Sequence, residues 1–314
     1  MQMSDRIGRR IKLQDVHILM AVVEAGSMGK AARHLNTSQP NISKSIADLE
    51  HALGVRLLDR QRQGVEPTAY GRALLDCGLA VFDELRQGVK NIEFLADPAT
   101  GEARVEANPF LAATFACEVI ERLSRHYPRV VVHLTAGWDP NLYRKLSDRN
   151  LDLLITWKVG PIDERLEFEF LFDDSPILVA AGARSPWAQR RKIELAELVN
   201  ESWVLPPQDS LTAPLVMKAF RDSGLPYPRA TVFVGPVEGR MRLLANGRFL
   251  TTFLPSALRF STGRPKCKVL PVELPSPPVS VGIVTLKNRT LSPAARLFIE
   301  YAREVAKPLA KKEG

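Results

Sequence analysis

Apolar positions early in the chain recur every three or four residues, the spacing of helices with one buried face. Leu13, Val16, Met20 and Val23 form the first row, and Gly26 follows as a stop. Met28, Ala31, Ala32 and Leu35 form the second, with Ser27 placed to cap it and two small alanines that let another helix approach. Asn36-Thr37 is turn chemistry. The third row is Ile42, Ile46, Leu49 and Leu53, with Thr37 or Ser38 as cap, Pro40 in the first turn and Gly54 at the end. Its opposite face carries Gln39, Asn41, Ser43, Lys44 and Asp48. Two short apolar runs then flank Gln61-Arg62-Gln63-Gly64 and predict a hairpin, with Arg60 and Arg62 at or near its tip.

From Thr68, a candidate cap, no proline interrupts the pattern before residue 98. Leu75, Phe82, Val89 and Ala96 lie seven apart, and Leu85 and Ile92 repeat at the offset position. This predicts one helix over 68–96 with a heptad seam, although Gly71 and Gly78 fill the other offset slots. The seam calls for a partner helix or for its own globular domain. Asp97-Pro98-Ala99-Thr100-Gly101 then ends the helix and predicts a hinge. Beyond it the period changes. Strands are predicted at 103–107, 130–135, 151–157, 168–172, 177–181, 202–205, 231–234, 250–253, 269–272 and 279–285. Helices are predicted at 111–127, 140–147, 195–199, 213–223, 237–246 and 292–307. Alternation of this kind implies an α/β sheet with crossover helices.

Length and composition narrow the class. The 314 residues are 45% hydrophobic and 25% charged, which fits two or three globular domains and excludes a disordered or fibrous chain. No run of about 18 apolar residues exists to span a membrane. The polar, basic start lacks a secretory signal. Cys77, Cys117 and Cys267 are far apart and odd in number, so neither a disulfide framework nor a zinc site is expected. A reduced, cytoplasmic protein follows. The net charge of +8 fits a polyanion partner, but the excess is spread along the chain. Nucleotide-binding glycine motifs, H-E-x-x-H and G-x-S-x-G are absent, so no catalytic residue, cofactor or metal is expected. His17, His34, His51, His126 and His133 follow no ligand spacing.

Helix, short turn, helix is an arrangement that places the second helix in a DNA major groove. Gln39 and Asn41 carry the amide pair that reads adenine, and Lys44 reaches guanine or phosphate. A basic hairpin tip beside it is a wing for phosphate or the minor groove. The same pattern also describes a plain three-helix packing unit with a solvated polar face.

The residues nevertheless resemble a specific family. Ala31-Ala32, Leu35, Ser38-Gln39-Pro40, Ile42-Ser43, Leu49-Glu50, Leu53-Gly54-Val55 and Leu57 fall at the spacing of the winged helix-turn-helix of LysR-type transcriptional regulators. Looser matches follow at Tyr127-Pro128, at Asn150-Leu151-Asp152-Leu153 and at Gly247 through Pro255. Pro67-Thr68-Ala69-Tyr70-Gly71 departs from the family's usual Leu-Thr-Glu-Ala-Gly, so the wing's end should be shaped differently.

The resemblance implies an α/β protein with three parts. Residues 1–67 form a winged helix-turn-helix and 68–98 a dimerising linker helix. Residues 101–314 form an effector domain like a periplasmic solute-binding protein, with one subdomain at about 101–171 and 272–314 and the other at about 172–271. The implied DNA-contacting residues are Met28, Arg33, Ser38, Gln39, Pro40, Asn41, Ser43, Lys44, Arg60 and Arg62. The implied dimer seam is Leu75, Phe82, Leu85, Val89 and Ile92. In open α/β sheets ligands sit beyond the carboxyl ends of strands. That rule selects Asn108, Phe110, Trp138, Asp139 and Trp157, with Pro207, Gln208, Asp209 and Phe253 facing them. Expected partners are promoter DNA, an anionic or ring-containing metabolite, a second copy in a homodimer or homotetramer, and RNA polymerase if the protein activates. An enzyme with an appended helix-turn-helix, or a sensor without DNA affinity, are the rival classes.

Overall fold

The computed structural model describes residues 7–61, 64–137, 142–174, 176–210, 212–230, 232–259 and 267–310. The chain divides into two compact units, Met1–Val89 and Lys90–Gly314.

The first unit holds α1 (Leu13–Ala25), α2 (Met28–His34), α3 (Gln39–Leu53) and a hairpin of β1 (Leu58–Gln61) and β2 (Gly64–Pro67). Each boundary has a local cause. Ser27 accepts from the Lys30 amide and Ser38 from the Asn41 amide, so both short helices are capped. Gly26 and Gly54 close α1 and α3 at φ of 68° and 72°, a conformation costly for any side chain. Leu19, Val22, Ala31, Ile42 and Leu49 meet in the core. Glu50 reaches out of α3 to accept from the Leu57 amide at 2.7 Å, which fixes the root of the wing. Strand pairing runs to Pro67 opposite Leu58. Proline lacks the donor, and Thr68 takes over: its amide donates to the Leu57 carbonyl and its hydroxyl to that of Arg56.

The helix α4 (Ala69–Ala96) starts from Thr68, whose hydroxyl accepts from the Gly71 amide. Gly71 is obligatory for close packing, because a Cβ there would lie 2.1 Å from the Leu57 carbonyl oxygen. Gly71→Ala is expected to destabilise the first unit by about 2 kcal/mol through overpacking against backbone, checked by thermal melting. The predicted seam is divided between two environments. Leu75 packs against the unit's own core and Phe82 lies 5.6 Å from the His17 ring, whereas Leu85, Val89, Ile92 and Leu95 are exposed.

The second unit has two lobes. One is a five-stranded sheet in the order β4-β3-β5-β12-β6. Its strands are β3 (Thr100–Ala107), β4 (Arg129–Ala136), β5 (Leu153–Lys158), β6 (Leu166–Asp173) and β12 (Ser280–Leu286). The first three are parallel, and β12 runs antiparallel between β5 and β6. The other lobe pairs β7 (Leu178–Gly182) with β10 (Leu250–Phe253) and β11 (Cys267–Val269). A bridge between Trp203 and Leu250 adds β8 (Val204–Leu205) and β9 (Val232–Phe233). Helices α9 (Ala213–Asp222), α10 (Val237–Leu244) and α11 (Ser256–Arg259) belong to this lobe. The closing helix α12 (Pro293–Ala310) packs on β3 and β6.

Two expectations need correction. Residues 111–127 are not one regular helix. They form a short turn α5 (Pro109–Leu111), a π-helical turn Ala112–Ala116 and α6 (Cys117–His126). The Thr114 hydroxyl donates to the Phe110 carbonyl at 2.7 Å, occupying an acceptor that the widened turn leaves open. The strand expected at 269–272 instead occupies Cys267–Val269, and the Val272 amide turns back to the Leu270 carbonyl. The helix expected at 140–147 is α7 (Leu142–Ser147), and that expected at 195–199 is α8 (Leu195–Leu198).

Candidate functional site

On the first unit, Gln39, Pro40, Asn41 and Lys44 are exposed on α3, and Arg33 is exposed on α2. Ser43 is half-buried and Ser38 is spent as the cap. The Asn41 side-chain amide donates to the Thr37 hydroxyl at 3.3 Å, which holds its head while leaving its carbonyl oxygen free of that bond. Ser45 donates to Asp15 at 2.6 Å and locks α3 against α1. Met28 corrects an expectation: it is buried in the core at 9% exposure, so it supports the face rather than forming part of it. Arg60 lies on β1 opposite Val65. Arg62 lies outside the described residues.

On the second unit, a small cavity of about 30 Å³ sits between the lobes. Phe110 and Trp157 line it from the carboxyl ends of β3 and β5, as the strand-end rule predicted. Their rings lie nearly parallel at 6.3 Å. Opposite stand Thr212, Leu215 and Val216 from the start of α9, Val237 and Arg240 from α10, and Thr252 through Leu254 at the end of β10. Thus Phe253, picked from sequence, does line the cavity. Trp138 and Asp139 lie outside the described residues. Pro207, Gln208 and Asp209 do not line the cavity; Gln208 and Asp209 are exposed, because α9 and α10 form the wall instead. Asn108 is buried with its carboxamide oxygen accepting from the Phe110 amide, so it shapes the loop that presents Phe110.

Two residues missed from sequence organise this region. Asp174, at the crossover between lobes, is fully buried. It accepts from the Trp157 indole at 3.0 Å on one side, and from the Ser256 amide and hydroxyl at 2.7 and 2.6 Å on the other. One carboxylate therefore holds groups from both lobes. Arg240, 5% exposed, is the other. A sequence signal existed for it: Arg240 and Leu244 lie four apart on the face of α10 that is buried.

A winged helix-turn-helix joined to a two-lobed domain with a cleft cavity defines a ligand-responsive DNA-binding protein. Residues 13–72 match the model of the bacterial regulatory helix-turn-helix protein, lysR family, and residues 96–307 match that of the LysR substrate binding domain. The chain belongs to the LysR family of transcriptional regulators. It is 25% identical over 295 residues to the transcriptional regulator GbpR of Azospirillum brasilense, covering 94% of this chain and 86% of that one. It is 27% identical to TdcA of Escherichia coli K12 over 93% of each chain. Among solved structures it shares its fold with a full-length OxyR variant from Pseudomonas aeruginosa, with a TM-score of 0.66 and 22% identity, covering 97% and 99% of the two chains. Full-length CbnR in complex with its target DNA gives a TM-score of 0.53 at 21% identity, covering 94% and 100%. The protein is accordingly a LysR-type DNA-binding regulator with an effector-binding domain. No helix among the described residues is long and apolar enough to cross a membrane.

Proposed function

We propose that residues 1–67 read a dyad-symmetric promoter site, that the 68–98 helix pairs two copies, and that 101–314 senses a metabolite in the cavity between its lobes. The protein works in the cytoplasm as a regulator and not as an enzyme, as a homodimer or tetramer, and meets RNA polymerase if it activates. The observation that carries the reading is the exposed row Gln39, Asn41 and Lys44 on a helix capped at Ser38 and locked from behind by Ser45. A metabolite that favours one packing of the lobes shifts the population of DNA-bound forms. Asn41→Ala should relax preference at one base position by about 1–3 kcal/mol, whereas Lys44→Ala should weaken all sequences alike and reduce the salt dependence. Mobility shifts on the native and a scrambled promoter separate the two effects. Unchanged binding in both variants would remove α3 as the reading face.

A further inference from the structure

Charge is divided unevenly between the two lobes of the second unit. From 174 to 271 the sequence holds 14 lysines and arginines against 7 acidic residues, whereas 101–173 and 272–314 together hold 16 of each. The lobe built on β7, β10 and β11 therefore carries the whole excess.

The cations gather at one end of that lobe. β10 finishes at Phe253, which pairs with Leu178 and lines the cavity, so Gly182, Leu250 and Cys267 mark the end of this sheet remote from the cavity. Three segments meet there. The turn after β7 lies against the turn after α10: a Cβ added to Gly247 would sit 3.2 Å from that of Arg184. β11 pairs Cys267 with Gly182, and the Lys268 ammonium donates to the Ala188 carbonyl at 2.6 Å. The Cys267 sulfur lies 3.5 Å from that of Met241 on α10. Residues 182–192, 241–248 and 267–268 thus share one surface, and their sequence contains no acidic residue. Arg184, Arg191, Lys192, Arg242, Arg248 and Lys268 are all exposed on it, with no carboxylate partner among the described residues. The next acids along the chain are already committed. Glu197 accepts from Arg190 at 2.6 Å, and the Glu194 side chain caps α8.

Cations crowded without counter-charges repel one another, and a polyanion relieves that repulsion. The same segments expose no large apolar side chain. A protein partner is ordinarily held by a buried aromatic or aliphatic centre, which this surface lacks. What it offers is charge and, in its arginines, the planar fork that fits phosphate. We infer that this end of the second lobe is a second DNA surface, which holds the phosphate backbone of duplex beyond the bases read by α3. The inference rests on the head's own DNA binding, since a duplex held there is present near the lobe at high effective concentration. Phosphate contacts carry no sequence information, so this surface adds affinity and footprint length but no base preference.

The test uses the full-length protein and a duplex of about 60 base pairs of arbitrary sequence, titrated by fluorescence anisotropy from about 50 to 200 mM potassium chloride. Replacing Arg184, Arg191, Lys192 and Arg248 together by glutamine should weaken binding at least about tenfold and reduce the salt slope by about 3–4, whereas Lys44→Ala in the head should reduce it by about one. The four side chains are exposed, so thermal melting of the free protein should not fall. Should it fall, Arg191→Gln with Lys192→Gln alone should still reduce the slope by about two. Wild-type protein is also acetylated with and without the duplex and read by mass spectrometry. Lys192 should be protected, and Lys287, exposed on the other lobe, should not. Loss of binding without protection of Lys192 would reduce the effect to long-range attraction and overturn the inference. Protection without loss of binding overturns it as well. If polyglutamate protects Lys192 and the duplex does not, the partner is an acidic protein and the inference fails. If only Lys44→Ala changes DNA binding, the second surface is overturned and the head keeps its role; if neither variant does, both readings fail.

Discussion

Leu85→Glu combined with Ile92→Glu is expected to convert the protein to monomers in sedimentation and to abolish footprints on paired half-sites. In a single chain these side chains are 51% and 68% exposed, so the free monomer loses almost no buried contact. Substitutions at such sites usually change stability by no more than about 0.5 kcal/mol. The cost appears only when two helices meet. A symmetric interface brings each substituted side chain in twice, and an unpaired carboxylate buried there costs several kcal/mol. Val81, Val89 and Leu95 extend the same exposed face, so two substitutions interrupt its middle. Leu75 and Phe82 are unsuitable positions for the test, since they pack within the first unit and their loss would confound unfolding with dissociation. Oligomers that survive the double substitution would show that copies associate elsewhere.

Asp174→Ala is the second large effect, and it concerns the sensor. The substitution strands the Trp157 indole, the Ser256 amide and the Ser256 hydroxyl in a dry interior. Leaving buried donors unsatisfied costs about 1–3 kcal/mol each, with partial relaxation, so a total of roughly 3–5 kcal/mol is expected. For a unit of this size the melting temperature should fall by about 10 °C. Asp174→Asn keeps an acceptor oxygen and should recover part of the loss. The Trp157 ring is held by this bond, so the variant should also weaken any ligand of the cavity more than the melting change alone would give. Melting unchanged in both variants would mean that Asp174 does not hold the lobes.

The first unit was almost wholly legible because its information is local. Ser27, Ser38, Gly26 and Gly54 set helix ends through caps and positive φ, and the apolar rows of α1 to α3 face one core. Met28 stood among the DNA contacts only through the family resemblance, while its place in the apolar row of α2 already pointed inward, where it is buried. The long helix shows where periodicity stops: a heptad row does not reveal whether Phe82 meets a second copy or His17 of its own chain. In the second unit, the carboxyl ends of the parallel strands β3 and β5 pointed to Phe110 and Trp157, and the end of β10, which is antiparallel to β7, pointed to Phe253. The helical part of the opposite wall was not found. It is built by α9 and α10, and which helix faces the cleft depends on how the second lobe folds over the first. Asp174 is an ordinary charged residue in the sequence, and its burial comes with the groups of both lobes that it holds; the signal for Arg240 was only its place four residues before Leu244.

The position of β12 sets the order in which the protein becomes functional during synthesis. This strand, almost the last in the chain, lies between β5 and β6 in the five-stranded sheet. Until residue 286 has left the ribosome, β5 and β6 present bare edges, and the sheet cannot close. The core of the reading head needs nothing beyond about residue 75. A nascent or prematurely terminated chain thus has a folded head long before it has a sensor. A chain cut short before β12 is therefore expected to keep the folded core of its head and to lack the closed five-stranded sheet.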